Sequence, residues 1–122
     1  MANEITGNCF VQVTLGNFRE KIEVASFVAS LTKLNVVSGT LQIANANTAI
    51  ATTGLTAPGL FYFRNLDATY NIEIGIVDGA TFESFLQLLP GQWAAGFLKT
   101  AAPVALASNV AGPKLEYKIF DR

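Results

Sequence analysis

The amino-acid sequence predicts an all-β fold: a single-domain, two-sheet β-sandwich over residues 1–122, with a jelly roll as its narrower form. Three observations support this prediction. Apolar residues recur mostly at every second position, as in strands with one buried face. Turn-forming pairs that contain Gly, Pro or Asp recur at a spacing typical of sandwiches. The 122 residues match the usual size of one domain, and no linker, charge run or repeat divides them.

The first strands are predicted near the N-terminus. Cys9, Val11, Val13 and Leu15 occur at every second position, so they share one face of a strand. Gly16-Asn17 then offers a turn into a second strand that begins near Phe18, which predicts a hairpin. On the second strand, Ile22 and Val24 alternate with charged residues and are predicted to lie on an inner face.

Two later segments alternate most clearly. The three isoleucines of Ile72–Ile76 are predicted to share a buried face, and the apolar residues of Lys114–Ile119 alternate with charged ones. Five more strands are predicted at Thr40–Ala44, Thr48–Thr52, Leu60–Leu66, Phe85–Leu89 and Trp93–Leu98.

Two stretches also fit a helix. Glu23–Leu34 contains apolar residues that suit a short helix, and Trp93–Ala107 is rich in alanine. Pro103 would shorten a helix in the second stretch, because proline removes a backbone donor. At this point helix and strand both stay open for the two stretches.

The residue types that carry most catalysis are scarce. The chain has no histidine, which removes the commonest general base and the commonest metal ligand. Its single cysteine, Cys9, lies in a predicted strand with no basic cluster to ionise the thiol. The nine acidic residues are dispersed, and Asp67 and Asp78 are interpreted as turn residues rather than as a calcium site. We expect no enzymatic activity, no catalytic or metal-binding residues and no cofactor.

Charged residues are few and unevenly placed. They make up 14% of the chain, against about 25% in an average soluble domain. None occurs in Leu34–Phe63 or in Ser84–Leu98, whereas the edge strands of monomers are usually protected by charge. These stretches are therefore predicted to pack against other subunits. A competing interpretation places the interface on the charge cluster Arg19–Glu23.

Several classes of partner are not expected. The eight basic residues form no stripe that could follow a phosphate backbone, so nucleic acid is not expected. The first residues lack a signal-peptide pattern, and no apolar run is long enough to cross a bilayer. We therefore expect a protein made in the cytoplasm, with no membrane partner.

Aromatic residues leave a binding interpretation open. Tyr62, Tyr70 and Trp93 could stack on sugar rings or bases. The consecutive aromatics Phe61–Phe63 are better explained by a strand that is covered on both faces. Trp93 fits a plug at a sheet edge and an interface anchor equally well.

Four segments in the C-terminal half form a pattern of strands and turns. An aromatic strand ends in an Arg-Asn-Leu-Asp turn, and a second strand, a Leu-x-Leu-x-Pro-Gly turn and a Leu-Glu-Tyr strand follow. These segments are Pro58–Thr69, Ile72–Gly75, Phe85–Gln92 and Leu115–Tyr117. Together they resemble small virion proteins of tailed bacteriophages. The resemblance does not extend to the predicted hairpin, Cys9–Val28.

The resemblance implies a non-enzymatic virion protein. Within that class it favours a capsid decoration (cement) protein that binds and stabilises the outer shell. The implied partners are the major capsid protein or other virion proteins, and the chain would form a homo-oligomer, with a trimer at threefold positions favoured. A head-tail connector, neck or tail component is the alternative. A carbohydrate-binding β-sandwich that uses Tyr70 and Trp93 is the second alternative.

Overall fold

The structure, a computed structural model, describes residues 4–30, 35–99, 103–107 and 112–121. By internal contacts the chain divides into two units, Met1–Leu34 and Asn35–Arg122. The first contains a two-stranded ribbon and the second contains two four-stranded sheets. No helix occurs in the described ranges, and the all-β prediction is confirmed. That residues 1–122 form one domain stays a prediction.

The N-terminal ribbon is an antiparallel hairpin. Strand β1 (Glu4–Leu15) pairs with β2 (Phe18–Ser30) around a turn at Gly16-Asn17. Gly16 has a φ of 57°, a left-handed value that glycine adopts at little cost. The predicted hairpin and its turn are therefore confirmed. The helical alternative for Glu23–Leu34 is wrong as far as Ser30, and residues 31–34 lie outside the described part.

The ribbon corrects one prediction about burial. Ile22 and Val24 were expected on a buried inner face, but both side chains are exposed. Alternation sorts the side chains of a strand onto two faces, but burial also requires a second layer. A two-stranded ribbon does not itself contain that second layer.

Eight strands form the second unit. They are β3 (Val36–Gln42), β4 (Thr48–Ala49), β5 (Pro58–Asn65), β6 (Ile72–Asp78), β7 (Thr81–Leu88), β8 (Trp93–Phe97), β9 (Val104–Ala107) and β10 (Lys114–Asp121). The first sheet has the order β3-β10-β5-β8, and the second has the order β4-β9-β6-β7. Strand β3 pairs with β10, β4 with β9, β5 with β8 and β6 with β7, all antiparallel. These nested pairs form one long hairpin rolled into two sheets, so both the β-sandwich and its jelly-roll form are confirmed.

The core lies between the two sheets. The rings of Phe61 and Phe63 stack there with their centroids 4.7 Å apart, while Tyr62 points to the outer face of the first sheet. The buried apolar residues of the described ranges are Ile43, Ile50, Phe61, Phe63, Ile72, Ile74, Leu88, Leu98, Ala105, Ala107, Leu115 and Ile119. Alternation therefore predicted the inner face of β10 correctly.

A bulge corrects the predicted face of β6. Pairing with β7 shifts register between Ile74 and Gly75, so Phe85 is an extra residue on β7. A bulge changes the side to which the following residues point. Ile76 is therefore 37% exposed and not buried as predicted. Gly75 fits the close approach because a Cβ there would lie 2.0 Å from the carbonyl oxygen of Glu83.

The remaining strand boundaries agree in part with prediction. Strands β5, β7 and β8 overlap the predicted segments, whereas β3 begins four residues before the predicted Thr40 and β4 is only two residues long. The helical alternative for Trp93–Ala107 is wrong where the structure describes it, because β8 and β9 lie there; residues 100–102 lie outside the description. Ala105 and Ala107 are buried in β9, so tertiary packing outweighs the helix propensity of alanine.

Candidate interaction surfaces

One face of the N-terminal ribbon is apolar. Residues directly opposite each other in an antiparallel pair point to the same face, and Val11 pairs with Ile22 as Cys9 pairs with Val24. The members of this apolar ribbon face are Cys9, Val11, Val13, Leu15, Phe18, Ile22 and Val24. Within residues 9–24, Glu20 is the charged residue of the same face. The large apolar members are all exposed, Leu15 to 77%.

The opposite ribbon face is polar. It contains Phe10, Gln12, Thr14, Arg19, Lys21 and Glu23. The Nζ atom of Lys21 lies 2.7 Å from Glu23 Oε2 and 5.3 Å from the centroid of the Phe10 ring. Because both charged side chains are about half exposed, this ion pair contributes little stability. The charge cluster that the competing interpretation favours therefore lies largely on the polar face.

The sandwich unit has an apolar groove on its surface. Its volume is about 520 Å³. Strands β5 to β8 line it through Phe61, Ile76, Phe85, Leu86, Gly96 and Phe97, and Leu98 and Lys99 line it beyond the end of β8. A Cβ at Gly96 would lie 3.1 Å from the Phe61 ring, so the glycine keeps the floor of the groove open. We call this feature the β7–β8 groove.

The strands on both sides of this groove are sheet edges. Among the described strands, β8 pairs only with β5, and β7 pairs only with β6. Edge strands carry backbone N–H and C=O groups that can pair with another strand. Strand β8 lies in Ser84–Leu98, one of the charge-free stretches that are predicted to pack against other subunits.

The aromatic candidates occupy different places. Trp93 begins β8 and is 61% exposed, and its ring centroid lies 6.3 Å from that of Tyr62 on the outer face of the first sheet. Tyr70 lies in the loop between β5 and β6, where its backbone N–H donates to Asp67 Oδ1 at 2.7 Å. Trp93 thus lies at a sheet edge, as the plug interpretation required, and its exposure suits the interface anchor.

Asn65 is a buried polar residue that the sequence did not mark. Its Nδ2 donates to the carbonyl oxygens of Tyr70 at 2.8 Å and Leu88 at 3.0 Å. Its Oδ1 accepts the backbone N–H of Asp67 at 2.9 Å. These bonds join the loop after β5 to the end of β7. The Arg-Asn-Leu-Asp segment therefore has a structural role at this point.

Asp67 is a turn residue, as predicted. Its Oδ1 accepts the backbone N–H groups of Thr69 and Tyr70, both at 2.7 Å. These bonds, that from Tyr70 first, lower the pKa of the Asp67 carboxyl below its ordinary value. Asp78 is the last residue of β6 and precedes Gly79, whose φ is 61°. The two carboxyls therefore belong to separate turns.

Asp121 is the second buried polar residue that the sequence did not mark. Its Oδ1 accepts the backbone N–H of Ala57 at 2.6 Å and that of Thr56 at 3.1 Å, and Asn35 Nδ2 donates to its Oδ2 at 3.4 Å. The carboxylate therefore ties the end of β10 to the segment that enters β5.

The described ranges contain no group of three or more His, Cys, Asp or Glu side chains that could hold a metal ion. Cys9 is half-buried. Within the same ranges, no helix has both the length and the apolar character needed to cross a membrane. That the protein lacks enzymatic activity, metal and cofactor stays a prediction.

Comparison with protein-family profiles, with curated proteins and with solved structures finds no match to this chain. The two surfaces just described, the apolar ribbon face and the β7–β8 groove, are therefore the features that bear on function.

Proposed function

We propose that this protein is a non-enzymatic structural subunit that works by associating with other subunits. The observation that carries the proposal is the apolar ribbon face, which exposes six large apolar side chains of one strand pair. The largest contiguous apolar patch on a typical soluble monomer covers about 300–600 Å² and is often functional. The exposed side chains of the ribbon face offer about 300 Å², which falls in this range. Covering a face of this composition with a partner removes apolar surface from water, which lowers the free energy of the assembly.

The free energy released when the ribbon face is covered indicates how many interacting surfaces the subunit needs. Full burial of a Val, Leu, Ile or Phe side chain contributes about 1.5–3 kcal/mol. The six side chains are roughly half exposed, so covering them contributes about 5–8 kcal/mol. Association itself costs about 4–15 kcal/mol. The ribbon face alone therefore supports only weak binding, and a stable assembly needs a second surface such as the β7–β8 groove.

Within this class we propose a capsid decoration (cement) protein of a tailed bacteriophage. The support is the resemblance of the four C-terminal segments to small virion proteins, with Asn65 and Asp67 holding the turn of the first segment. The jelly roll is also common among viral capsid domains, although a fold alone does not determine function. The partners would be the major capsid protein and further copies of this chain, with a trimer favoured. The chain would be made in the host cytoplasm and would then join the virion.

The test is a reconstruction of the native particle by electron cryo-microscopy. We expect an eight-stranded sandwich on the outer shell that stays attached after a wash at about 1 M salt, where charge interactions are screened within roughly 3 Å. Density at the neck or tail would support the connector or tail alternative instead. A purified particle that lacks the protein would contradict the proposal.

A carbohydrate-binding module is the second candidate, and the exposed Trp93 beside Tyr62 is the observation in its favour. Sugar rings pack on aromatic faces. A glycan array probed with the purified chain separates the two candidates. Specific binding that Trp93→Ala removes would favour the carbohydrate candidate, whereas an array without signal would favour the structural one.

A further inference from the structure

We infer that the apolar ribbon face of one copy docks in the β7–β8 groove of a second copy, with β1 added to the edge of β8. This inference rests on the proposed function only in that the chain acts as an assembled subunit. It names the surfaces and the partner, a second copy of this chain. Addition of a strand to an exposed sheet edge is a common mode of recognition.

Both edges lack the usual protection against such pairing. No charged residue occurs at positions 5–18, which include most of β1, and none occurs in β8. Among the described strands, β1 pairs only with β2, and β8 pairs only with β5. Natural edge strands of monomers usually carry lysine, proline or inward-pointing charges. The backbone N–H and C=O groups of each edge can therefore pair with those of the other edge on a second copy.

The side chains of the two surfaces also match. If β1 extends the first sheet beyond β8, its apolar side can face the groove while Gln12 and Thr14 face solvent. A cavity of about 150 Å³ holds a benzene ring, so the groove of about 520 Å³ has room for about three apolar side chains. Val11, Val13 and Leu15 supply that number at every second position of β1.

The apolar area is that of a small interface. A buried aliphatic side chain removes roughly 60–120 Å² from water, so the half-exposed ribbon face offers about 300 Å². Aromatic side chains remove about 150–250 Å² each, so the exposed parts of Ile76, Phe85 and Phe97 in the groove offer about 200–300 Å². The sum, about 500–600 Å², approaches the apolar share, about 57%, of an interface of about 1,200 Å².

This contact joins two different surfaces, so it repeats around an axis. Each copy donates one ribbon and receives one ribbon, which closes into a ring when the rotation permits. A ring of three copies would satisfy every ribbon and every groove, in agreement with the trimer proposed above.

The test uses sedimentation velocity on the full chain and on two pairs of matched variants. Val13→Glu changes the apolar ribbon face, and Thr14→Glu places the same charge on the opposite face of β1. Phe85→Glu changes the groove, and Val36→Glu changes a residue of similar exposure, 50% against 48%, at the far edge of the first sheet. Circular dichroism verifies that every variant keeps its strands.

We expect the parent chain and both controls to be oligomeric, and Val13→Glu and Phe85→Glu each to be monomeric. A mixture of these two monomeric variants should form a 1:1 dimer, because the intact ribbon of one meets the intact groove of the other. In this dimer the unused ribbon carries Val13→Glu and the unused groove carries Phe85→Glu. No further copy can therefore bind.

Three outcomes would overturn the inference: a monomeric parent chain, a Phe85→Glu variant that is still oligomeric, or a mixture that stays monomeric. The second would indicate that two ribbons pair with each other. A chain that is monomeric in solution but present on particles would refute the docking and leave the proposed function intact. If the two variants form the 1:1 dimer but the chain is absent from particles, the docking would be supported and the proposed virion function would be refuted.

Discussion

Replacing Gly75 by alanine tests the bulge that shapes the rim of the groove. An added Cβ would lie 2.0 Å from Glu83 O and 2.8 Å from Ser84 Cα, whereas non-bonded carbon atoms prefer about 3.5–4.0 Å. Both neighbours are backbone atoms, so no side-chain rotation relieves the clash and the strands must separate by more than about 1 Å. Overpacking of this kind costs about 1–3 kcal/mol, and we expect the upper end of that range or more.

Gly39→Ala is the matched control, because it is also a glycine-to-alanine change within a strand of the sandwich. Its added Cβ would meet the Tyr117 hydroxyl at 3.3 Å, and a side-chain tip can move by a few tenths of an ångström. Alanine also restricts the unfolded chain, which stabilises by about 0.4–1 kcal/mol where the fold accepts it. We expect its unfolding free energy to lie within about 1 kcal/mol of the parent.

Thermal unfolding followed by circular dichroism measures both variants. One kcal/mol corresponds to about 3–6 °C for a chain of this size, so Gly75→Ala should lower Tm by about 10 °C or more. If Gly75→Ala melts within about 2 °C of the parent, the register shift between β6 and β7 is not present and the exposure of Ile76 needs another explanation.

Three further predictions concern single side chains. Ile74→Asp should prevent folding, because its carboxylate would be buried without a partner at a cost of several kcal/mol. Glu73→Ala, on the other face of β6, should change the urea midpoint little, and equal effects of the two changes would contradict the assigned faces. Asp121→Ala removes the acceptor of two backbone N–H groups and should lower the unfolding free energy by about 2 kcal/mol or more, and an unchanged urea midpoint would contradict that role. The backbone hydrogen bonds that lower the pKa of Asp67 also stabilise the folded chain. This stabilisation is complete at pH values above the pKa that Asp67 has in the unfolded chain, and it is lost as the pH falls through the pKa that Asp67 has in the folded chain. Between about pH 5 and pH 2.5 the parent should therefore lose more stability than Asp67→Asn, and equal losses would refute this linkage.

Local patterns predicted much of the fold. The alternation in β10 and the turn at Gly16-Asn17 depend on residues that are neighbours in sequence, so one segment suffices to predict each. The face of Ile76 depends on a bulge with a partner strand, which no pattern within β6 reveals. Asn65 and Asp121 accept or donate to groups 23 and 64 residues away, so their burial depends on the assembled topology.

The interaction surfaces were predicted only in part. Alternation in Cys9–Leu15 predicted that its apolar residues share one face, but it cannot tell whether a second layer covers that face. The charge-free stretch Ser84–Leu98 indicated an interaction surface and contains β8. The groove itself requires β7 and β8 to be edges of different sheets, which follows from the order of all eight strands.

Sedimentation velocity of the full chain at two salt concentrations tests most directly the claim that this protein associates through apolar surfaces. Raising the salt from about 0.1 M to about 1 M shortens the Debye length from roughly 10 Å to 3 Å, which weakens exposed ion pairs and leaves apolar burial intact. We predict an oligomer, with a trimer favoured, whose sedimentation coefficient is unchanged or slightly larger at high salt. Dissociation into monomers at high salt would favour the Arg19–Glu23 cluster as the interface and contradict the account, as would a monomer at both concentrations.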